Sequence, residues 1–202
     1  MPATLTERPP APAAQFPARK RWTRAEYQKA EAAGVFDQQN LELVEGEIID
    51  KKMSKNRPHI DAAALLIAWL IQVFGARRVN FEAPIDVAPG DNAINEPVPD
   101  IIVLRGEFVG FRTDRPQPRD LDLVIEIAAS SLAFDLTVKA SLYARAGIAE
   151  YWILDVIGRR LLVHRNPENG QYASVTSYSE QESARPLAAP ASSFPVRDAF
   201  PE

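Results

Sequence analysis

Two acids stand at places in this chain where acids are costly. Glu126 interrupts DLVIEIA (122–128), whose Leu123, Val124, Ile125 and Ile127 make the β-branched apolar run of a strand buried on both faces. Asp100 opens DIIVL (100–104), directly after Val98-Pro99. A carboxylate taken out of water needs a partner, a proton or a metal ion. Consecutive strands are usually neighbours, so these two acids can meet at one end of a sheet. They would then repel unless a proton or a cation sits between them. Lys139 lies one turn after Asp135 on the following helix, and Tyr143 one turn further along the same face. A lysine beside a metal-bound water can orient it or offset charge on a phosphate. The chemistry these types suggest is metal-assisted hydrolysis of a phosphoester.

Composition narrows the choice of ion. There are no cysteines, so disulfides and thiolate zinc sites are excluded. The two histidines, His59 and His164, are far apart and form no HExxH or HxH pair. A metal site must therefore rest on carboxylates, which favours magnesium or manganese. The formal net charge of −4 gives no general attraction to nucleic acid, so such binding would need a local basic patch. There is no GxGxxG after a strand, no GxxxxGK[ST] and no GxSxG elbow, and Ser130-Ser131 has no histidine nearby in sequence. The Pro/Ala-rich N-terminus lacks a signal peptide's apolar centre, and AAALLIAWLIQVF is shorter than the roughly 18 residues of a span. A cytoplasmic protein with no membrane partner is expected.

The elements that position these residues follow from caps and periodicity. Residues 1–20 hold five prolines and little to bury, which predicts a disordered tail. The folded domain is expected over 21–185, with a Pro/Ala-rich C-terminal tail over 186–202. Thr23 and Glu26 form a capping box and Gly34 a stop, giving a helix over about 24–33. LELVEGEII predicts a hairpin turning at Glu45-Gly46. In RPHIDAAALLIAWLIQVFG, Ile60, Ala64, Ile67, Ile71 and Phe74 recur at helical spacing and predict the core face of the main helix. RRVNFEAPIDVA predicts a strand broken at Pro84, and Asp135 a cap for a helix running to about Ala146. EYWILDV and RRLLVHR predict a hairpin about Ile157-Gly158, with QYASVTSY adding an edge strand. Strands flanked by two helices make an α/β fold with a mixed central sheet.

The order of xPD, then ExI in a buried strand, then a helical lysine resembles the PD-(D/E)xK nuclease superfamily, and most closely its Uma-two branch of restriction-endonuclease-like proteins. The matching stretches are LELVEGEII, PHIDAAALL, VPDIIVL, DLVIEI and KASLYARAGIAEYWILD, spanning about residues 41–155. KASLYARAGIAEYWILD is the most specific of them. The resemblance implies a restriction-endonuclease-like sheet flanked by helices and Mg²⁺- or Mn²⁺-dependent cleavage of nucleic acid, DNA first. It implies Asp100 and Glu126 as metal-binding acids and Lys139 as the superfamily lysine displaced onto the next helix. Glu42 would be the acid from the first hairpin, and His59 would start the core helix near the site. Ala128 stands where the superfamily motif has its lysine, and AASSLAF replaces the branch's Ser-Pro-Ser loop.

Each residue also has a plainer reading. Asp100 can cap the turn before its strand, Glu126 can pair with a buried cation, and His59 can bond locally. Lys139 and Glu42 can be solvated. Two rivals to the nuclease stay open: a nuclease-fold binding module without turnover, and a hydrolase of small phosphoesters. A homodimer is expected by analogy with enzymes that cut both strands.

Overall fold

The computed structural model describes residues 19–51, 57–108 and 114–200. Most of the tail expected over 1–20 lies outside these. Thr23 caps α1 (Arg24–Ala32) through the capping box with Glu26. The hairpin follows as β1 (Leu41–Val44) and β2 (Glu47–Asp50). It turns at Glu45 and Gly46, both at positive φ. A side chain at Gly46 would press on Arg21, so glycine is needed there on two counts. Next come α2 (Arg57–Phe74), β3 (Val79–Phe81), β4 (Ile101–Leu104) and β5 (Leu121–Ala128).

The crossover from β5 is one continuous helical stretch in three parts. It consists of α3 (Leu132–Phe134), a π-helical turn (Asp135–Lys139) and α4 (Ala140–Arg145). Then β6 (Glu150–Asp155), β7 (Arg160–Glu168) and β8 (Gln171–Ser179) complete the main sheet. Its order is β3-β4-β5-β6-β7-β8, antiparallel throughout except for the parallel pair β5–β6. A parallel pair requires a crossover, and the composite helix supplies it.

Both faces of this sheet are covered, which explains why β4, β5 and β6 read as unbroken apolar runs. On one face Leu123, Ile125 and Ile127 pack with Trp152, Leu154 and the α2 residues Ala62, Leu66, Leu70 and Phe74. On the other, Ile102, Val124 and Ala128 pack with Val44 of the hairpin and Leu142 and Tyr143 of α4.

Three expectations are corrected. The core face of α2 is His59, Ala62, Leu66, Leu70 and Phe74, while Ile60 is 52% and Ile71 39% exposed. The helix is apolar nearly all round, so periodicity alone could not fix which stripe faces the sheet. It is also long and apolar enough to cross a membrane by length and composition, and one face of it packs on the sheet. Asp135 is not a helix cap: the helical stretch begins at Leu132, and Asp135 is buried inside it. Finally, the expected C-terminal tail is part of the core. A short β10 (Phe194–Pro195) pairs with β9 (Ser183–Ala184), and Phe194, Val196, Ala199 and Phe200 pack with α2. Its prolines break regular structure, but the apolar residues between them still have a face to fill.

Truncating a true contact of α2 should be costly and truncating its outer stripe should not. Leu70→Ala should lose about 2–5 kcal/mol in urea denaturation, and Ile71→Ala about 0.5 kcal/mol. Equal losses would mean that the helix is rotated from the face described.

Candidate functional site

The register of two strands builds the centre of the site. Ile101 pairs with Ile125 across antiparallel β4 and β5, and this register sets Asp100 opposite Glu126. Alternation then points both side chains to the face shared with Ile102 and Val124. On that face the hairpin brings in Glu42, two residues before Val44, and the helical crossover brings in Asp135, Lys139 and Tyr143 at successive turns.

The contacts form a closed chain of charges. Lys139 Nζ lies 2.8 Å from Glu126 Oε1 and 2.9 Å from Glu42 Oε1. Tyr143 donates its hydroxyl to the same Glu126 Oε1 at 2.8 Å. Glu42 Oε2 accepts the Val98 amide at 3.0 Å. Asp100 Oδ2 accepts the Ile127 amide at 2.8 Å and lies 3.4 Å from His59 Nε2, at the first turn of α2. Lys51 Nζ donates to Asp100 Oδ1 at 2.9 Å and to the Val98 carbonyl, and lies 3.9 Å from Glu126 Oε2. Asp135 accepts a 2.6 Å bond from Ser131 Oγ. All of these charged side chains are buried. Glu42, Lys51, Asp100, Glu126, Asp135 and Lys139 line a small cleft of about 80 Å³ with Ile49, Asp50, Ser130 and Phe134.

Burial and charge pull the proton affinities apart. Burial pushes the Glu126 carboxyl up to about 8 against the opposing pull of Lys139 and Lys51. For Asp100 burial also works upward, but Lys51, with help from His59, overcomes it and holds the carboxyl far below the usual range. Burial likewise raises Asp135, although Lys139 and the Ser131 hydroxyl work against it. Burial opposes the Lys139 and Lys51 ammoniums, yet the surrounding carboxylates, Glu126 first, hold both above the usual lysine range. Two carboxyls facing each other with affinities moved in opposite directions form a pair able to divide proton-holding from charge-holding.

The structure brings all five sequence-derived residues, Glu42, His59, Asp100, Glu126 and Lys139, into this one cluster. Sequence reasoning missed Lys51 and the inward position of Asp135. A lysine just past a short strand looks like any solvated lysine. The only signal was arithmetic, since Lys139 alone cannot balance Glu42, Asp100 and Glu126. The other histidine, His164, is elsewhere, packed against the rings of Tyr151 and Tyr172.

Among the described residues no three His, Asp or Glu side chains form a ready-made metal cage. Magnesium does not need one, because it commonly takes one or two carboxylates, retains waters and uses substrate oxygens. Asp100 and Glu126 are two carboxylates placed opposite each other at the cleft. Their facing oxygens already surround a cation, the Lys51 ammonium.

Comparison with known proteins follows the same line. The family model described as "Putative restriction endonuclease", Uma2, matches residues 24–197. The chain belongs to the Uma2 family. A similar solved structure is that of a "putative nuclease belonging to DUF820" from Anabaena variabilis ATCC 29413, with a TM-score of 0.58 at 20% identity. The likeness covers 79% of this chain and 89% of that one, so it shows the fold. No curated protein matches the chain. The matched region includes the stretch KASLYARAGIAEYWILD (139–155). In this Uma2 chain that stretch supplies Lys139, Tyr143 and the strand β6 beside Glu126.

Two measurements test the electrostatics. Lys139→Ala leaves Glu42 and Glu126 buried without their shared cation, and should cost about 3–5 kcal/mol of stability. A loss below about 0.5 kcal/mol, ordinary for a surface change, would place the lysine in solvent. Glu126 has a raised folded-state affinity, so its contribution is complete below about pH 4.5 and is lost as pH rises through about 8. Wild-type stability should therefore fall relative to Glu126→Gln across that window, followed by urea denaturation in steps of pH. Parallel curves would show Glu126 to be ionised throughout.

Proposed function

We propose that this chain is a metal-dependent nuclease that hydrolyses phosphodiester bonds of nucleic acid, with DNA as the first substrate to try. The observation that carries this is the pairing of Asp100 with Glu126 at one end of the sheet, with Lys139 beside them in a cleft of about 80 Å³. Membership of a family described as restriction endonucleases supports it. Asp100 and Glu126 would hold Mg²⁺ or Mn²⁺, which supplies Lewis-acid polarisation of a phosphate and a more acidic bound water. Asp100 is suited to hold charge, since Lys51, His59 and the Ile127 amide already stabilise its ionised form. Lys139 fixes Glu126 through one oxygen and leaves its positive charge beside the cleft, where negative charge grows in the transition state. Cutting both strands of a duplex calls for two such sites, so a homodimer belongs to the same proposal.

One observation favours a second reading, a nuclease-fold binding module without turnover. Each acid is already bonded to an ammonium, Asp100 to Lys51 and Glu126 to Lys139, so both proposed ligands have a counter-charge without any metal. A single set of assays separates the readings. Purified protein with Mn²⁺ or Mg²⁺ should cleave at least one of duplex DNA, single-stranded DNA, RNA or a simple phosphodiester. Glu126→Gln should lower that rate by about 10²–10³-fold, the scale of removing one electrostatic contributor to a transition state. Salt-dependent binding of nucleic acid with no cleavage under either ion would establish the module instead. Cleavage of the simple phosphodiester alone would point to a hydrolase of small phosphoesters.

A further inference from the structure

Lys51 enters the proposed chemistry only as a neutralising neighbour of Asp100. It directly follows β2 and is 6% exposed. Its ammonium has an oxygen of Asp100 at 2.9 Å, the main-chain carbonyl of Val98 as a second acceptor, and an oxygen of Glu126 at 3.9 Å. Among the described residues these contacts are all to oxygen, two carboxylates and one carbonyl, which is the donor chemistry of a hard divalent ion.

We propose that Lys51 is a tethered counter-ion: it fills the cation position between Asp100 and Glu126, and a divalent ion enters only by displacing it. This inference rests on the nuclease reading of the same site. An ammonium and a dication cannot share one nest, because their repulsion is poorly screened in a buried, low-dielectric setting. With both acids ionised and no cation between them, the two carboxylates would repel across the strand pair. Lys51 therefore keeps the pair in place while no ion is bound. Lys139 is arranged differently. It holds the other oxygen of Glu126, Oε1, together with Glu42, so it need not move when Oε2 changes partner. The two lysines thus divide the two oxygens of one carboxylate between a permanent contact and an exchangeable one.

The test uses Mn²⁺ alone, with no substrate. Its affinity, read by electron paramagnetic resonance of free Mn²⁺, should rise roughly tenfold or more in Lys51→Met, within the range of a coupling between competing ligands. Charge relief at a distance could also raise affinity, so a second readout is needed. In the wild-type chain, modification of the Lys51 amine by an acylating reagent, followed by mass spectrometry, should accelerate when Mn²⁺ is added. In Glu126→Gln it should not. This second readout needs no change at Lys51 itself, so it holds even if Lys51→Met fails to fold. An unchanged or weakened affinity in Lys51→Met, or a Lys51 equally shielded with and without bound Mn²⁺, overturns the proposal. If wild type binds Mn²⁺ and Glu126→Gln does not, that failure is confined to Lys51. If no variant binds Mn²⁺, the metal-dependent reading of the site falls, and this inference with it.

Discussion

Lys139 bridges Glu42 and Glu126 where all three are buried, and it thereby ties together the hairpin, the strand β5 and the helical crossover. Ions in such a place are held by geometry or not at all. Removing one partner strands the others, whereas the intact group costs little beyond the desolvation already incurred. The same logic extends outward through Lys51 to Asp100, and through the Val98 amide to Glu42. Glu42, Asp100 and Glu126 thus each have a cation or a main-chain donor, and Lys51 and Lys139 each have more than one acceptor. That redundancy lets a buried polar network coexist with an apolar sheet on every side of it.

The sheet itself shows what a purely structural buried acid looks like. Glu150 at the head of β6 is fully buried, as Glu126 is. Its Oε1 accepts from Arg165 and Trp152 Nε1, and its Oε2 from the Leu187 amide. Arginine closes such a site well, because its planar fork satisfies a carboxylate and cannot be deprotonated. Glu126 instead meets lysines and a tyrosine at the edge of a cleft, and Asp100, directly opposite, meets a lysine and a histidine. Lysine is a point charge on a flexible stem and yields its place more readily than arginine. The choice of cation, more than the burial of the acid, separates a strut from a site.

Much of this arrangement could be read from the residues because it rests on local rules. The Thr23–Glu26 box, the Glu45-Gly46 turn and the run DLVIEIA each declare their structure within a few positions. So do the acids, since Glu126 is anomalous wherever a buried strand is recognised. The readings that failed are those decided by tertiary packing. The phase of α2 was ambiguous because its Ile60 and Ile71 stripe is as apolar as its Leu66 and Leu70 stripe, and only contact with the sheet selects between them. The C-terminal segment gave a loop-like composition, yet Phe194 rests against Trp69 with ring centroids 4.9 Å apart. Lys51 was silent for a different reason. Its meaning lies in a residue about fifty positions away, and no periodicity spans that distance.

Asp135 is the case where a local rule was legible and still gave way. Its sequence position suits a helix cap, and an ordinary α-helix begun there would leave its carboxylate near solvent. Instead the helical stretch starts earlier, at Leu132, and widens into a π-turn over Asp135–Lys139. Such turns insert an extra residue into the helical ladder and are usually confined to places where that shift is needed. Here the shift falls on the residues facing the site. Asp135 turns inward against Ser131, Lys139 reaches both Glu42 and Glu126, and Tyr143, one turn on in regular α-helix, still meets Glu126. Lys139 reaches Glu126 from the helical crossover, not from the strand that carries Glu126. The departure from regular helix coincides with the buried charge cluster, at the turn that carries Asp135 and Lys139.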